Sequence, residues 1–249
     1  MNPIATHTTD DLGVAWKDDA AWQERLDSDR RRAQAVQTTA QRAFTETVVE
    51  RALAVGAEAV ALTGSTVRMR RTAISDLDYH VVGPRPQVSD LPGDVDIYAS
   101  DRDAFWKKLR GGDDFVQWTL REGCILVDSD IFRDGLRAIA VEGLWPNPGP
   151  KLERLPAHMK IVGRLLAMGD RDAAQAELRA ALTSAARAVL LGAEVFPLAR
   201  AELPEQLRMV GAERLGEALR VTIDTEPSLE DLQRFLDVLA QVAHVDVRT

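Results

Sequence analysis

Apolar residues in the first part of the chain recur at the spacing of amphipathic helices. Trp16, Trp22 and Leu26 lie near a 3.6-residue period, and the same period continues at Ala35, Phe44, Val48, Val49 and Leu53. Because residues three or four apart share one face of a helix, this spacing predicts helical structure over about 15–55. A stretch of this length indicates two helices, or one bent helix, ending at Gly56.

The pattern then changes to short apolar runs of the kind found in buried strands. Such runs occur at 59–62, 81–82 and 124–127, and an apolar–acid–apolar pattern occurs at 95–97, so four strands are predicted. Helical patterns closed by glycines separate the last two strands, at about 101–109 and 114–122. After the proline-rich stretch 145–150, helices are predicted at about 155–168, 171–191, 203–220 and 229–245.

Composition and charge are those of an ordinary soluble globular protein, and they limit the classes of molecule that we expect it to bind. The 249 residues are 45% hydrophobic and 28% charged, with a net charge of −8. The acidic balance disfavours affinity for a nucleic-acid backbone, and it is compatible with a small cationic substrate. The arginines at 30–32 fit a solvated helix face.

Cysteine usage and the absence of long apolar runs predict where the protein works. The single cysteine, Cys124, excludes an internal disulfide and a cysteine-based zinc site. The chain has no apolar run long enough to span a membrane, and its polar start lacks the apolar segment of a signal peptide. We therefore expect a cytoplasmic protein without a membrane partner.

The residues with the clearest chemistry surround the first two predicted strands. Asp76 and Asp78 alternate onto one side of a strand while Leu77 faces the core. Two neighbouring carboxylates are tolerated best with a cation between them, and hard oxygen ligands at this spacing suit Mg²⁺ together with substrate phosphates. The Gly64-Ser65 pair predicts a tight turn into a helix, whose first N–H groups favour anions.

The ordered set of Gly64-Ser65, Asp76-x-Asp78 and an acid between apolar residues, Asp96, resembles the nucleotidyltransferase superfamily that includes DNA polymerase beta. The resemblance implies catalytic and metal-binding roles for Asp76, Asp78 and Asp96, with Mg²⁺ or Mn²⁺ as cofactor and ATP or another nucleoside triphosphate as co-substrate. Asp96 either ligates a second metal or takes the proton from the acceptor hydroxyl. In addition to these acids, Gly64, Ser65, Arg68, Arg70 and Lys160 are predicted to bind the nucleotide.

The same resemblance implies an architecture of the α/β (α+β) class. We expect N-terminal helices at 1–56 that pack on the catalytic domain, and a nucleotidyltransferase domain with a small mixed sheet at 57–149. An α-helical bundle domain at 150–249 is expected to close the cleft and bind the acceptor. The helix–glycine–strand–aspartate pattern of 114–128 and the segment 189–197 resemble bacterial antibiotic nucleotidyltransferases.

The predicted reaction is the transfer of a nucleoside monophosphate, AMP in the first instance, to a hydroxyl of a small molecule such as an aminoglycoside-type antibiotic. Two alternatives stay open at this point. One is an antitoxin-like enzyme that modifies a protein side chain, and the other is a nucleotide-binding module without turnover. The sequence names neither the acceptor nor the preferred base, and it leaves open a homodimer or a protein partner.

Overall fold

The computed structural model describes residues 15–69, 76–91 and 95–245. The chain folds into two compact units, one ending at Pro146 and the other beginning at Asn147. Each unit has its own hydrophobic core.

The first unit is built around a four-stranded sheet in the order β3-β2-β1-β4. Strand β1 is antiparallel to both of its neighbours, whereas β2 and β3 run parallel. The predicted small mixed sheet is therefore confirmed. Its strands are β1 Ala59–Thr63, β2 Leu77–Val82, β3 Val95–Ser100 and β4 Cys124–Asp128.

Six α-helices are described in this unit: α1 Asp19–Val36, α2 Thr39–Ala54, α3 Gly64–Val67, α4 Arg102–Arg110, α5 Asp114–Glu122 and α6 Ile131–Glu142. The predicted N-terminal helical region is two helices, α1 and α2. They separate because Thr38 begins α2 with a reciprocal cap, in which its hydroxyl accepts the Gln41 N–H and its own N–H donates to the Gln41 side chain.

The helices cover both faces of the sheet. Phe105 of α4, Leu120 of α5 and Phe132 of α6 are fully buried in one cluster with Ala61 and Val82 of the sheet. Side chains alternate along a strand, so Tyr79 of β2 faces the opposite side. There its hydroxyl lies 2.6 Å from Thr45 Oγ1 of α2. Both faces of the sheet are therefore covered by helices.

Helix α6 has no counterpart among the predicted elements. Ile131, Leu136 and Ile139 are buried along it, and their apolar spacing is visible in the sequence. The start of the helix is not predictable in the same way, because Asp130, the residue before the helix, makes no side-chain cap and has φ +66°. Instead the Asp128 carboxylate accepts the N–H groups of Phe132 and Arg133, at 2.9 and 3.1 Å. Burial raises the pKa of Asp128 to about 6.

All the elements described in the second unit are helical: α7 Gly149–Ala167, α8 Arg171–Gly192, a short 3₁₀ turn Arg200–Glu202, α9 Leu203–Met209, α10 Glu213–Asp224 and α11 Leu229–Val245. The single helix predicted at 203–220 is two, since Gly211 adopts φ +77° between them. Helix α7 begins well before the predicted residue 155, because a proline in the first turn loses no helical hydrogen bond. No helix in the described ranges is long and apolar enough to cross a membrane.

We predict that Tyr79→Phe lowers the free energy of unfolding by about 1 kcal/mol, since one buried hydrogen bond is lost. The Thr45 hydroxyl donates to Gln41 O and accepts from Gln37 Nε2, so the Tyr79 hydroxyl donates to Thr45. Urea unfolding followed by tryptophan fluorescence measures the change. Thr45→Val supplies the control background, because it removes the oxygen that Tyr79 contacts. An equal loss for Tyr79→Phe in the wild type and in Thr45→Val would contradict the prediction.

Candidate functional site

The predicted acids meet at one end of the sheet, where β1 ends and β2 and β3 begin. Asp78 is registered with Thr63 on one side and with Asp96 on the other. Registered residues of neighbouring strands point to the same face, and the strands lie about 4.8 Å apart. The carboxylates of Asp78 and Asp96 therefore stand side by side, with Asp78 half-buried and Asp96 exposed. This is the juxtaposition that a shared cation or a shared proton requires.

Gly64 brings its backbone against the Asp78 carboxylate. The residue has φ +72°, and a β-carbon built on it would lie 1.8 Å from Asp78 Oδ2. No side chain larger than hydrogen fits this position without moving the carboxylate. The neighbouring Thr63 hydroxyl donates to the Asp78 carbonyl oxygen at 3.2 Å. Strand β1, the turn into α3 and the central acid are thus held together, and Ser65 follows as the second residue of α3.

Asp76 immediately precedes β2 and is exposed. Carboxylate oxygens are suitable donors for Mg²⁺, which binds through one or two carboxylates plus phosphates, so the Asp78–Asp96 pair fits this ion chemically. Within the described ranges, no three His, Cys, Asp or Glu side chains form a group that could hold a metal ion. The three-carboxylate metal site of Asp76, Asp78 and Asp96 therefore stays a prediction.

The predicted cationic residues are distributed over different places. The Arg68 guanidinium forms an ion pair with Glu122 of α5, with N···O at 2.9 Å. Arg70 lies outside the described residues. Lys160 lies on α7 in the second unit, and its contact with a triphosphate stays a prediction. Of the predicted nucleotide-binding residues, Gly64, Ser65 and Arg68 share helix α3 and the residue that ends it.

His80 lies two residues further along β2 than Asp78, so it is on the same sheet face, and it is fully buried. Its ring is surrounded by those of Tyr98, Phe105, Phe115 and Phe132, at centroid distances from 4.9 to 6.1 Å. Burial, and secondarily the charge of Lys108, lower the pKa of His80 to about 3. The imidazole is therefore neutral at physiological pH and adds no positive charge beside the acids.

The hydrogen bonds of His80 assign its tautomer. The Thr119 hydroxyl donates to Phe115 O, so it accepts from Nδ1–H of His80 at 3.0 Å. Nε2 is buried and has no hydrogen-bond partner among the described residues. An alternation argument from the sequence places His80 beside Asp78, but it gives no sign of the aromatic cage that keeps the ring neutral.

Lys108 is a residue of this region that sequence reasoning missed. Its ammonium donates to the Tyr98 hydroxyl and lies 4.5 Å from the centroid of the Tyr98 ring. Tyr98 follows Asp96 by two residues and points to the same face. A positive charge is therefore placed one row of side chains behind the two acids. No short motif links positions 98 and 108, so only the packing of α4 on β3 reveals the pair.

Comparisons with known proteins were made for the whole chain. No protein-family model matches it, and no curated protein matches it. Among solved structures, it is similar to a nucleotidyltransferase-like protein from Exiguobacterium sibiricum 255-15, with a TM-score of 0.42 and 16% sequence identity over 80% of this chain and 73% of that chain.

We predict that His80 makes the fold sensitive to mild acid. Its pKa is about 3 in the folded state, against about 6.5 for an unperturbed histidine, so the unfolded state binds more protons between these values. The stabilisation from keeping the ring neutral is complete above pH 6.5 and is lost as the pH falls towards 3. Urea unfolding at pH 7, 6 and 5 should show a steeper loss for the wild type than for His80→Phe. Parallel losses in the two proteins would rule out this role.

Proposed function

We propose that the protein is a metal-dependent nucleotidyltransferase, which transfers a nucleoside monophosphate from a nucleoside triphosphate to an acceptor hydroxyl. One observation carries the proposal: Asp78 and Asp96 are registered side by side while Gly64 packs directly against Asp78. A paired-acid site next to a glycine turn that starts a helix is suited to a metal-bound triphosphate.

The proposed roles follow from phosphoryl-transfer chemistry. Asp78, with Asp76 beside it in sequence, would hold Mg²⁺. When bound, this ion would supply Lewis-acid stabilisation of the negative charge on the phosphates. Ser65 and the backbone N–H groups that follow Gly64 would contact the β- and γ-phosphates. Asp96, exposed at the outer strand of the sheet, can accept the proton of the attacking hydroxyl.

The acceptor that we propose is a small molecule bearing a hydroxyl, of the aminoglycoside type. The net charge of −8 supports a cationic acceptor rather than a nucleic acid, because an acidic surface raises the local concentration of small cations and repels phosphate backbones. ATP with Mg²⁺ is the first co-substrate to test. An acceptor panel of cationic, neutral and anionic hydroxyl compounds then examines the acceptor independently of the nucleotide.

We predict that Gly64→Ala abolishes Mg²⁺-dependent ATP binding, because the added methyl displaces the Asp78 carboxylate. Gly56→Ala is a matched control: Gly56 has φ +86°, so the backbone strain is comparable, but a β-carbon there has no atom within 4 Å. Thermal shifts are compared for ATP with Mg²⁺ and for ATP with chelator. A saturating ligand at a hundredfold excess over its Kd stabilises by about 2.7 kcal/mol. A Mg²⁺-dependent shift that survives in folded Gly64→Ala would refute this placement of the nucleotide.

We predict that Asp96→Asn keeps near-normal ATP affinity but slows transfer by about 10²- to 10⁴-fold, the usual contribution of a general base. Single-turnover rates with radioactive ATP and an acceptor from the panel measure the change. Asp103→Asn, an exposed acid in the first turn of α4, is the control and should transfer at the wild-type rate. Loss of ATP affinity rather than rate would instead assign Asp96 to the metal.

A further inference from the structure

The ion pair between Arg68 and Glu122 joins two distant parts of the chain next to the candidate site. Arg68 ends the short helix α3, one helical turn after Gly64, and Glu122 is the last residue of α5. The pair is mostly enclosed, since the Glu122 side chain is 5% exposed and that of Arg68 is 25% exposed. An ionised carboxylate this buried destabilises the fold unless it is paired, so separating Glu122 from Arg68 is unfavourable.

The end of α5 that carries Glu122 is held by hydrogen bonds and by close packing. The Arg32 guanidinium donates from Nη2 to the carbonyl oxygens of Glu122 and Gly123, at 2.9 and 2.6 Å. Gly123 packs closely against β1, since a β-carbon on it would lie 3.3 Å from Leu62 O and 2.4 Å from Thr119 O. The end of α5 is thereby fixed beside the end of β1, immediately before the turn at Gly64.

Helix α3, by contrast, has little to hold it. It contains four residues, and the Thr63 side chain makes no cap hydrogen bond. A single helical turn is unstable by itself, because nucleation orders several residues for one hydrogen bond. Its conformation must therefore be held by contacts with the rest of the fold. Thr66 and Val67 supply buried surface, and Arg68 supplies a charged bond to the supported end of α5.

The charge balance argues against Arg68 as a phosphate ligand. The Arg68–Glu122 pair has no net charge, so it attracts a triphosphate weakly. Turning the guanidinium towards a phosphate would separate it from the buried Glu122 carboxylate, and breaking a buried ion pair is strongly destabilising. The binding of a nucleotide would have to offset that loss. If the Arg68–Glu122 pair stays intact, nucleotide binding has no such loss to offset.

We propose that Arg68 and Glu122 are positioning residues, whose ion pair holds α3 in the conformation that the nucleotide requires. This inference rests on the proposed function for its effect on nucleotide affinity, but not for its effect on α3. Breaking the pair should loosen the helix in the free protein, whether or not a nucleotide binds.

Glu122→Gln is the informative change, because it keeps the side-chain shape and leaves Arg68 able to reach water. Hydrogen exchange of the Arg68 and Met69 amides, which donate to Thr66 O, should become at least about tenfold faster in the free protein, a typical coupling for residues in contact. ATP with Mg²⁺ should bind about tenfold more weakly to this variant. Glu58→Gln is the matched control, since it breaks an exposed pair with Arg102 at the opposite end of β1.

The double-variant cycle separates the two roles of Arg68. For positioning residues, Arg68→Gln and Glu122→Gln each weaken ATP binding, and the double variant is no weaker than the more affected single one. For a phosphate ligand, Glu122→Gln retains or strengthens ATP binding, and only Arg68→Gln weakens it. That result, or unchanged hydrogen exchange in Glu122→Gln, overturns the inference. If the wild type binds no ATP but α3 loosens as expected, the proposed function fails while the positioning role stands.

Discussion

The close approach of Gly64 to the Asp78 carboxylate is the constraint on which the arrangement of the first unit depends. The backbone leaves β1 at Gly64 with φ +72° and starts α3 at once, and a β-carbon there would lie 1.8 Å from Oδ2, so only glycine fits. The pairing of β1 with β2 fixes Asp78 opposite Thr63, and the parallel pairing of β2 with β3 then fixes Asp96. One contact thus ties together the turn, the central strand and the outer acid.

Electrostatics at this end of the sheet follow from the same geometry. The neighbouring carboxylates of Asp78 and Asp96 repel each other. The two basic residues in the next row of side chains offset this repulsion to different degrees. His80 is kept neutral by burial, while the Lys108 ammonium lies 4.5 Å from the centroid of the Tyr98 ring. The acids are therefore left with a positive charge one row away, and Asp96 is exposed to solvent. A cation between the two carboxylates would relieve their repulsion.

Local patterns predict much of this arrangement, and long-range pairings do not. The alternation of Asp76, Leu77 and Asp78 predicts the strand and its orientation, and Gly64-Ser65 predicts the turn, because each depends on neighbours within a few residues. Which strand lies beside β2, and in which register, depends on packing that no local pattern encodes. The partner of Arg68 is 54 residues away, and the cap of α6 comes from a strand residue instead of the residue before the helix. Sequence reasoning therefore predicts the local structure around the candidate site more reliably than the partners of its residues.

Arginines of α1 make further contacts that the helical pattern does not predict. Arg30 and Arg32 are exposed, as expected of a solvated helix face, and in addition Arg30 donates to Leu126 O at 2.9 Å and Arg32 donates to the end of α5. Asp29, which is 4% exposed, accepts from Ile125 N–H and pairs with Arg25 at 2.9 Å. Asp29 and Glu122 are thus two buried acids, each paired with an arginine, on either side of the start of β4. Buried pairs of this kind add little net stability, but each one penalises any structure in which its partners separate. They therefore favour a single arrangement of α1, α5, β4 and α3, which is what a site built from a four-residue helix and two strand ends requires.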